Sequence, residues 1–229
     1  MMTYVGPPDG VAALKIHDLG GWRILFIMAV AQEYGEHLRA RIDPLMTGVG
    51  PIEAALATGV ALQALRQAGQ LPDLVVSLGS AGSRTCELGG VYQVASVSWR
   101  DMDASRLGFA KGVTPFLDHA VAIPLPTPWP DIPVATLSTG ADIVGGDDYD
   151  AINADLVDME CFAVLRACQR FGLPLVGLRG VSDGPGDLND MIGWTALLGL
   201  IDQRLAMAID CLDSAMLNGI ALPACPSAA

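Results

Sequence analysis

Continuous apolar runs bounded by glycine and proline give this chain its pattern of hydrophobic and polar positions. Residues 24–30 form one such run, which predicts a strand buried on both faces, as in a parallel sheet. Further strands are predicted at residues 74–78, 133–138 and 175–181, and at 91–99, where apolar and polar residues alternate. Helices are predicted at residues 32–42, from Pro51 to a stop at Gly69, at 159–171 and at 194–217.

The alternation of these strands and helices indicates the architecture. It favours a largely parallel sheet with helices on both faces, in one domain without internal repeats. We expect a lead-in over residues 1–22, in which the glycines and prolines of residues 6–10 break regular structure, one domain over 23–218 and a flexible tail over 219–229. In such folds, ligands bind beyond the carboxyl ends of the strands.

The composition narrows the classes of partner. Apolar residues make up 52% of the 229 residues and charged residues 17%, so a large core is available. A net charge of −12 argues against nucleic acid and disfavours an anionic membrane surface, but suits a small neutral or cationic substrate. The apolar run at 24–31 is too short to span a membrane, and residues 1–20 lack a secretory signal, so we expect a cytoplasmic protein.

Neither the cysteines nor the histidines are spaced like metal ligands. The three histidines are far apart, and the cysteines contain no CxxC pair and fit reduced core thiols. The five cysteines are Cys86, Cys161, Cys168, Cys211 and Cys225. We therefore expect no metal and no cofactor.

Polar or acidic residues follow three of the predicted strands. Glu33 comes just after the first strand, Ser80 after the second and Asp183 after the last. Because the carboxyl ends of parallel strands meet at one edge of a sheet, we expect these three side chains to share one rim.

Each candidate also has a purely structural interpretation. Asp183 would cap the turn after its strand. Glu33 would be a first-turn helix acid favoured by the helix dipole, with Glu36 an equal competitor. Glu160 begins a helix rich in apolar residues, where a carboxylate rarely lies without a partner, yet stabilisation of the helix start explains it equally well. Glycines and a hydroxyl at residues 79–82 would let a ligand approach the backbone, or would form a common small-residue turn.

Several ordered blocks match one family. They are 27–33 (Ile-Met-Ala-Val-Ala-Gln-Glu), 47–51 (Thr-Gly-Val-Gly-Pro), 78–82 (Leu-Gly-Ser-Ala-Gly), 100–103 (Arg-Asp-Met-Asp) with Gly108, Phe109, Gly112 and Pro115, 139–144 (Thr-Gly-Ala-Asp-Ile-Val), 158–160 (Asp-Met-Glu) and 179–183 (Arg-Gly-Val-Ser-Asp). Through them, residues 24–217 resemble the methylthioadenosine/S-adenosylhomocysteine nucleosidases of the nucleoside phosphorylase superfamily. The resemblance implies a single-domain, three-layer α/β/α fold with a mixed, largely parallel central sheet.

Hydrolysis of an adenine–ribose bond needs a proton at adenine N7, support for a cation-like ribose and an activated water. The resemblance implies that Asp183 is the general acid and Glu33 the base that activates water. The resemblance further implies that Ser182 lies beside the acid and that Ile143 and the Val144 backbone contact adenine. It implies that Glu160 and Met159 hold the ribose, and that Arg179 and Ser80 help to position the water. The residues implied along the 5′ substituent are Val30, Val49, Ala104, Leu107 and Trp194, and those implied to come from a partner subunit are Phe109 and Pro115. A homodimer is therefore expected.

The chain departs from the family pattern at several positions. Ile143 stands where the family has a phenylalanine that stacks on adenine, which removes an aromatic contact. Ala31 and Gln32 replace an acidic position beside Glu33. Arg100 replaces a histidine, and Val30 replaces a methionine. The catalytic acids are thus retained, while the substrate-contacting positions differ.

Three alternatives remain. A phosphorylase would need cations around phosphate, but the chain has Ala-Gln-Glu-Tyr at 31–34 where phosphorylases have Gly-Asp-Pro-x-Arg, Ser77 and Leu78 where they have an arginine, and a carboxylate at Glu33 that repels phosphate. A non-catalytic nucleoside-binding protein would have lost the acids that this chain keeps. A nucleosidase for another nucleoside, such as futalosine or a deoxyadenosine-type nucleoside, keeps hydrolysis but changes the substrate.

Overall fold

The computed structural model describes residues 14–184, 186 and 191–217, and the described part contains a nine-stranded mixed sheet flanked by helices. The strands are β1 (His17–Leu19), β2 (Trp22–Met28), β3 (Leu45–Met46), β4 (Leu74–Gly82), β5 (Val91–Trp99), β6 (Ala122–Pro124), β7 (Val134–Thr139), β8 (Leu156–Asp158) and β9 (Leu175–Asp183). The helices are α1 (Glu36–Arg39), α2 (Pro51–Gln67), α3 (Cys161–Arg170), α4 (Met191–Thr195) and α5 (Leu198–Leu217), with 3₁₀ turns at Ala31–Glu33, Ser105–Leu107 and Gly146–Ala151.

The sheet curls until five of its strands close a ring. β4 pairs in parallel with β9, β9 antiparallel with β5, β5 in parallel with β7, and β7 in parallel with β8. β8 then returns to β4 through the antiparallel pair Gly82–Val157. β1, β2 and β3 extend the sheet beyond β4, and β6 extends it beyond β5. The ring brings the ends of β4, β8 and β9 to one place.

Alternate residues of the central strands feed two separate cores. In β2, Leu25 and Ile27 belong to the core beneath α2 and α3, whereas Ile24, Phe26 and Met28 belong to the core beneath α1 and α5. All five side chains are at most 1% exposed, as expected for a strand covered on both faces. The predicted fold class, a three-layer α/β/α domain with a mixed sheet, is confirmed.

The predicted helix over residues 32–42 is wrong as a single element. The structure has a 3₁₀ turn at Ala31–Glu33, then an interruption, then the short helix α1. Asp202 of α5 causes the interruption, because its carboxylate accepts the backbone N–H groups of Gly35, His37 and Leu38 at 2.9–3.1 Å. Such a side chain caps a new helix start. A Cβ atom at Gly35 would lie 2.6 Å from that carboxylate, so a larger residue there would displace the cap.

Other boundaries also differ from the predictions. The small-residue segment after the second predicted strand is not a turn, because β4 continues to Gly82 while paired with β9 along its length. The helix predicted over 194–217 is divided into α4 and α5 at residues 196–197. The short strands β1, β3, β6 and β8 were missed. α2 confirms the helix predicted to begin at Pro51.

The predictions for residues 1–13, including the break at 6–10, and for the tail at 219–229 lie outside the described residues. So do Pro185 and Cys225, and the proposed division into lead-in, domain and tail stays a prediction. Within the described part, no helix is long and apolar enough to cross a bilayer.

Candidate active site

A cavity of about 520 Å³ opens beside the ends of β4, β8 and β9, a size typical of sites for small molecules. Its wall combines apolar side chains with four buried or half-buried carboxyl groups, those of Glu33, Asp158, Glu160 and Asp183. The lining residues are Ala29, Val30, Gln32, Glu33, Val49, Ser80, Ala81, Gly82, Arg100, Asp142, Ile143, Val144, Val157, Asp158, Met159, Glu160, Ser182, Asp183 and Trp194. The three predicted rim residues Glu33, Ser80 and Asp183 therefore meet in one cavity.

Asp183 is the last residue of β9 and is held on one side by its neighbour. The Ser182 hydroxyl donates to Asp183 Oδ1 at 2.6 Å. Burial raises the pKa of the Asp183 carboxyl, and the Ser182 hydrogen bond opposes this only in part. On the other side, Asp183 Oδ2 and the Tyr149 hydroxyl both lie 2.6 Å from where a Cβ atom at Gly82 would be. Gly82 therefore makes room for the acid.

Glu33 lies at the end of the 3₁₀ turn after β2 and is 7% exposed. Its Oε1 atom accepts the Ser80 backbone N–H at 2.9 Å and the Ser80 hydroxyl at 2.5 Å, while the buried Oε2 atom has no protein partner. Burial raises the pKa of the carboxyl, against the hydrogen bonds from Ser80 and the charge of Arg179. A carboxylate with one hydrogen-bonded oxygen and one oxygen that has no protein partner is suited to accept a proton from water.

Glu160 lies between β8 and α3 and faces the same cavity. Its Oε1 atom accepts the Gly50 backbone N–H at 2.8 Å, which ties it to the turn before α2. Burial, followed by the nearby Asp158 carboxylate, raises the pKa of Glu160 to about 8. A carboxyl group in this state is close to the balance between its charged and neutral forms near neutral pH.

Arg179 does not line the large cavity but lies behind it, 2% exposed. Its Nε and Nη2 atoms donate to Asp158 Oδ2 at 3.1 and 2.8 Å, and its other N–H groups donate to Ser77 and to the Leu178 carbonyl. All five N–H groups are thus used within the protein. Arg179 borders a second cavity of only about 10 Å³, shared with Glu33 and Glu160. Arg179 therefore has no free N–H group with which to bind the attacking water directly, and its implied role in positioning that water stays a prediction.

Most of the predicted substrate-binding residues line the large cavity. They are Val30, Val49, Ile143, Val144, Met159, Glu160, Ser182 and Trp194. Four others do not line it in the single chain: Ala104, Leu107, Phe109 and Pro115. Leu107 is 77% exposed and lies in a short 3₁₀ turn after β5. Ala104 is half-buried, and for both Ala104 and Leu107 the place along the 5′ substituent stays a prediction.

Sequence reasoning gave no role to Asp158, which lines the cavity and accepts hydrogen bonds from Arg179. Besides Arg179, its carboxylate accepts the Thr139 hydroxyl at 2.6 Å and the Cys161 backbone N–H at 3.0 Å. The available signal was Arg179 within an apolar strand, because a buried guanidinium requires a carboxylate partner. The Asp-Met-Glu block supplied two carboxylates, one for that arginine and one for the cavity.

Arg100, a departure from the family pattern, lines the cavity and binds the backbone of three segments. It donates to the backbone oxygens of Ser138, Asp142 and Asp158 at 2.7–3.0 Å, and it forms an ion pair with the Asp142 carboxylate at 3.1 Å. It therefore links β7, β8 and the loop that carries Ile143 and Val144. Among the described residues, no group of three or more His, Cys, Asp or Glu side chains is arranged to hold a metal ion.

Comparison with known proteins identifies the family. The family model of the phosphorylase superfamily matches residues 136–197. A 5′-methylthioadenosine/S-adenosylhomocysteine nucleosidase of Bacillus velezensis is 30% identical over 176 residues, which cover 69% of this chain and 74% of the relative. One of Actinobacillus succinogenes is 30% identical over 162 residues, 62% of this chain and 68% of the relative. The chain belongs to the 5′-methylthioadenosine/S-adenosylhomocysteine nucleosidase family. It is an N-glycosyl hydrolase that acts on a nucleoside.

Solved structures confirm the fold of this nucleosidase. The Neisseria meningitidis 5′-methylthioadenosine/S-adenosylhomocysteine nucleosidase superposes with a TM-score of 0.67 at 20% identity, covering 85% of this chain and 97% of the other. The futalosine hydrolase of Helicobacter pylori superposes with a TM-score of 0.69 at 18% identity, covering 86% and 97%. At these identities the likeness establishes the nucleoside phosphorylase-like fold, and both kinds of hydrolase share it.

Proposed function

We propose that this nucleosidase hydrolyses 5′-methylthioadenosine, S-adenosylhomocysteine or both, releasing adenine and the 5′-thioribose. The observation that carries the proposal is the placement of Glu33, Glu160 and Asp183 around one cavity of about 520 Å³. Cleavage needs an acid, a base and a group that supports positive charge, and the cavity wall provides one carboxyl group for each.

Asp183 acts as the general acid. Its raised pKa keeps a proton available for adenine N7, because a half-buried carboxyl group gives up its charge-stabilising water. The Ser182 hydroxyl fixes Oδ1, which leaves Oδ2 as the oxygen that delivers the proton. Ile143 and Val144 form the cavity wall against which adenine would lie, and Ile143 is 65% exposed. Because both side chains are aliphatic, this side of the purine has no aromatic contact from them.

Glu160 holds the ribose, with Met159 beside it in the wall. As the glycosidic bond breaks, the ribose becomes cation-like, and an ionised carboxylate next to it is stabilised by that charge. With a pKa of about 8 in the free enzyme, Glu160 is partly ionised near neutral pH, and the cation-like ribose favours that ionised form. Glu160 thus favours the transition state over the neutral substrate.

Glu33 accepts the proton of the attacking water through its open Oε2 atom. Ser80 fixes Oε1 through two hydrogen bonds. Arg179 acts as a positioning residue, since it holds Asp158 and its charge favours the ionised form of Glu33 without an open donor for the water.

Among the described residues, the cavity wall offers phosphate no free cationic group, which supports hydrolysis over phosphorolysis. Among the described residues that line the large cavity, Arg100 is the cationic one, and its donors are bound to Ser138, Asp142 and Asp158. Phosphate would therefore meet carboxylates and no open cation, which is unfavourable.

A homodimer is part of the proposal. Ile52, Leu56 and Val60 are four residues apart on α2 and are 72%, 59% and 61% exposed, so they form one outward apolar stripe. A second copy of the chain would cover such a stripe. Phe109 and Pro115, absent from the cavity of their own chain, would then serve the cavity of the partner.

The experiment measures free adenine released from 5′-methylthioadenosine, S-adenosylhomocysteine and adenosine, and hypoxanthine released from inosine, each with and without phosphate. Release of adenine from the 5′-thio nucleosides without phosphate is the expected result. Asp183→Asn and Glu33→Gln should each lower kcat by about 10²–10⁴-fold, whereas Asp131→Asn, on an exposed residue, serves as the matched control. Phosphate-dependent release, or near-normal kcat in Asp183→Asn, would refute the assignment.

Futalosine is the second candidate substrate. It is favoured by the aliphatic Ile143 at the base wall, which relaxes selection for adenine, and should be included in the same assay. Hypoxanthine release from futalosine with no adenine release from the 5′-thio nucleosides would replace the first substrate class by the second.

A further inference from the structure

Trp194 contacts the catalytic machinery through its ring nitrogen and also lines the large cavity. The indole Nε1–H donates to Ser80 Oγ at 3.1 Å. The ring lines the large cavity and also packs, half-buried, against the core beneath α5. One side of this side chain is therefore anchored in the fold, and the other reaches the residue that holds Glu33.

We propose that Trp194 is a positioning residue for the base: its indole N–H fixes the direction of the Ser80 hydroxyl, so that the Ser80 proton always points to Glu33 Oε1. The proposal rests on the assignment of Glu33 as base in the proposed function. It adds a role for a side chain that the sequence placed only along the 5′ substituent.

The donors and acceptors around Ser80 Oγ determine where its proton points. A serine hydroxyl has one proton to donate and can accept two hydrogen bonds, and it rotates freely unless its partners fix it. An indole N–H only donates, so it cannot receive the Ser80 proton. The Ser80 proton must therefore go to another acceptor, and Glu33 Oε1 lies at 2.5 Å. With Oε1 satisfied in this way, the buried Oε2 is left open for water.

Removal of the indole N–H should weaken the Ser80–Glu33 bond, because the hydroxyl gains other orientations. Ionised Glu33 is then less stable, and the other charged groups that face it, Asp158, Glu160 and Arg179, are unchanged. The acid limb of the pH profile of kcat, where the base gains its proton, should move to higher pH. A neutral hydrogen bond of ordinary strength corresponds to a shift of about half to one pH unit.

The experiment compares wild type, Trp194→Phe, Ser80→Ala and the double variant, with 5′-methylthioadenosine as the substrate. Phenylalanine keeps a large aromatic wall but has no N–H. In Trp194→Phe we expect the acid limb to move up by about half to one unit, with kcat below that limb reduced by about 3–10-fold. Ser80→Ala should move the limb at least as far. The double variant should match Ser80→Ala, because the indole acts through that hydroxyl.

A wall residue would behave differently. If Trp194 only contacts the substrate, Trp194→Phe changes KM, leaves the acid limb in place, and adds its full effect to that of Ser80→Ala. Those results overturn the proposal. Should Trp194→Phe fail to fold, as judged by thermal unfolding, incorporation of benzothienylalanine at residue 194 makes the same test, since its ring keeps the shape of indole and lacks the N–H.

The two assignments fail in distinguishable ways. An inactive Glu33→Gln variant together with an unmoved limb in Trp194→Phe refutes the role of Trp194 alone. An active Glu33→Gln variant refutes the base assignment on which the role of Trp194 depends.

Discussion

Replacement of Glu160 by glutamine should make the stability of the free enzyme less dependent on pH. Burial and the Asp158 carboxylate raise the pKa of Glu160 from 4.5 to about 8. Between those values, the folded chain holds a proton that the unfolded chain has lost. The folded state is therefore favoured most below pH 4.5, and this contribution is lost as pH rises through 8. Glutamine does not titrate, so the variant lacks this contribution.

The size of the effect follows from the shift. One pKa unit corresponds to about 1.4 kcal/mol. Between about pH 5.5 and 7.5, the free energy of unfolding of the wild type should therefore fall on the order of 2–3 kcal/mol relative to Glu160→Gln. For a domain of this size, that difference corresponds to roughly 5–10 °C in Tm. The glutamine carbonyl can still accept the Gly50 N–H, so the turn before α2 should be kept.

Thermal unfolding of the free protein, followed by calorimetry at constant ionic strength from pH 5.5 to 8.5, provides the measurement. The quantity of interest is Tm of the wild type minus Tm of Glu160→Gln, which should decrease as pH rises. Glu36→Gln is the matched control, because the Glu36 side chain is 90% exposed and the same chemical change is made at the surface. A wild-type minus Glu160→Gln difference that stays constant over this range would refute the reasoning.

Two further substitutions test the packing of the acid and the proposed dimer. Gly82→Ala should lower kcat by at least tenfold in the adenine-release assay, because the new Cβ atom would lie 2.6 Å from both Asp183 Oδ2 and the Tyr149 hydroxyl and would displace Asp183. Gly59→Ala is the control and should leave kcat unchanged, since its Cβ atom meets nothing within 4 Å. Equal activity of the two variants would contradict the role given to Gly82. Leu56→Asp should convert the dimer to monomers in sedimentation velocity, since a charge on the exposed stripe of α2 cannot be buried against a second copy; a wild-type chain that sediments as a monomer would exclude the interface.

The sequence was most informative where local patterns and tertiary structure agree. The apolar run that became β2 and the proline that begins α2 needed no knowledge of distant residues. The convergence of Glu33, Ser80 and Asp183 followed from a topological rule, because the ends of neighbouring parallel strands meet at one edge.

Sequence reasoning failed where a distant side chain decides local structure. Nothing near residues 32–42 reveals that Asp202 supplies the cap that divides the predicted helix. Likewise, the hydrogen bonds of the Arg179 guanidinium depend on residues distant in the sequence. Asp158 accepts one of them, and the Ser77 carbonyl accepts another because β4 pairs with β9. The places of Ala104 and Leu107 were implied by resemblance alone, and the 77% exposure of Leu107 in the single chain cannot be read from the composition of its segment.

The three hydrogen bonds from the start of α1 to Asp202 join parts of the chain that are 164–167 residues apart. The segment that carries Glu33 is synthesised early, yet the carboxylate that caps the helix after it belongs to α5. During translation, β2 and β4 can pair before residue 202 leaves the ribosome, but the start of α1 gains its cap only when α5 packs against it. Substrate turnover by the nascent chain should therefore begin only after α5 has docked, which makes enzymatic activity a late marker of folding for this protein.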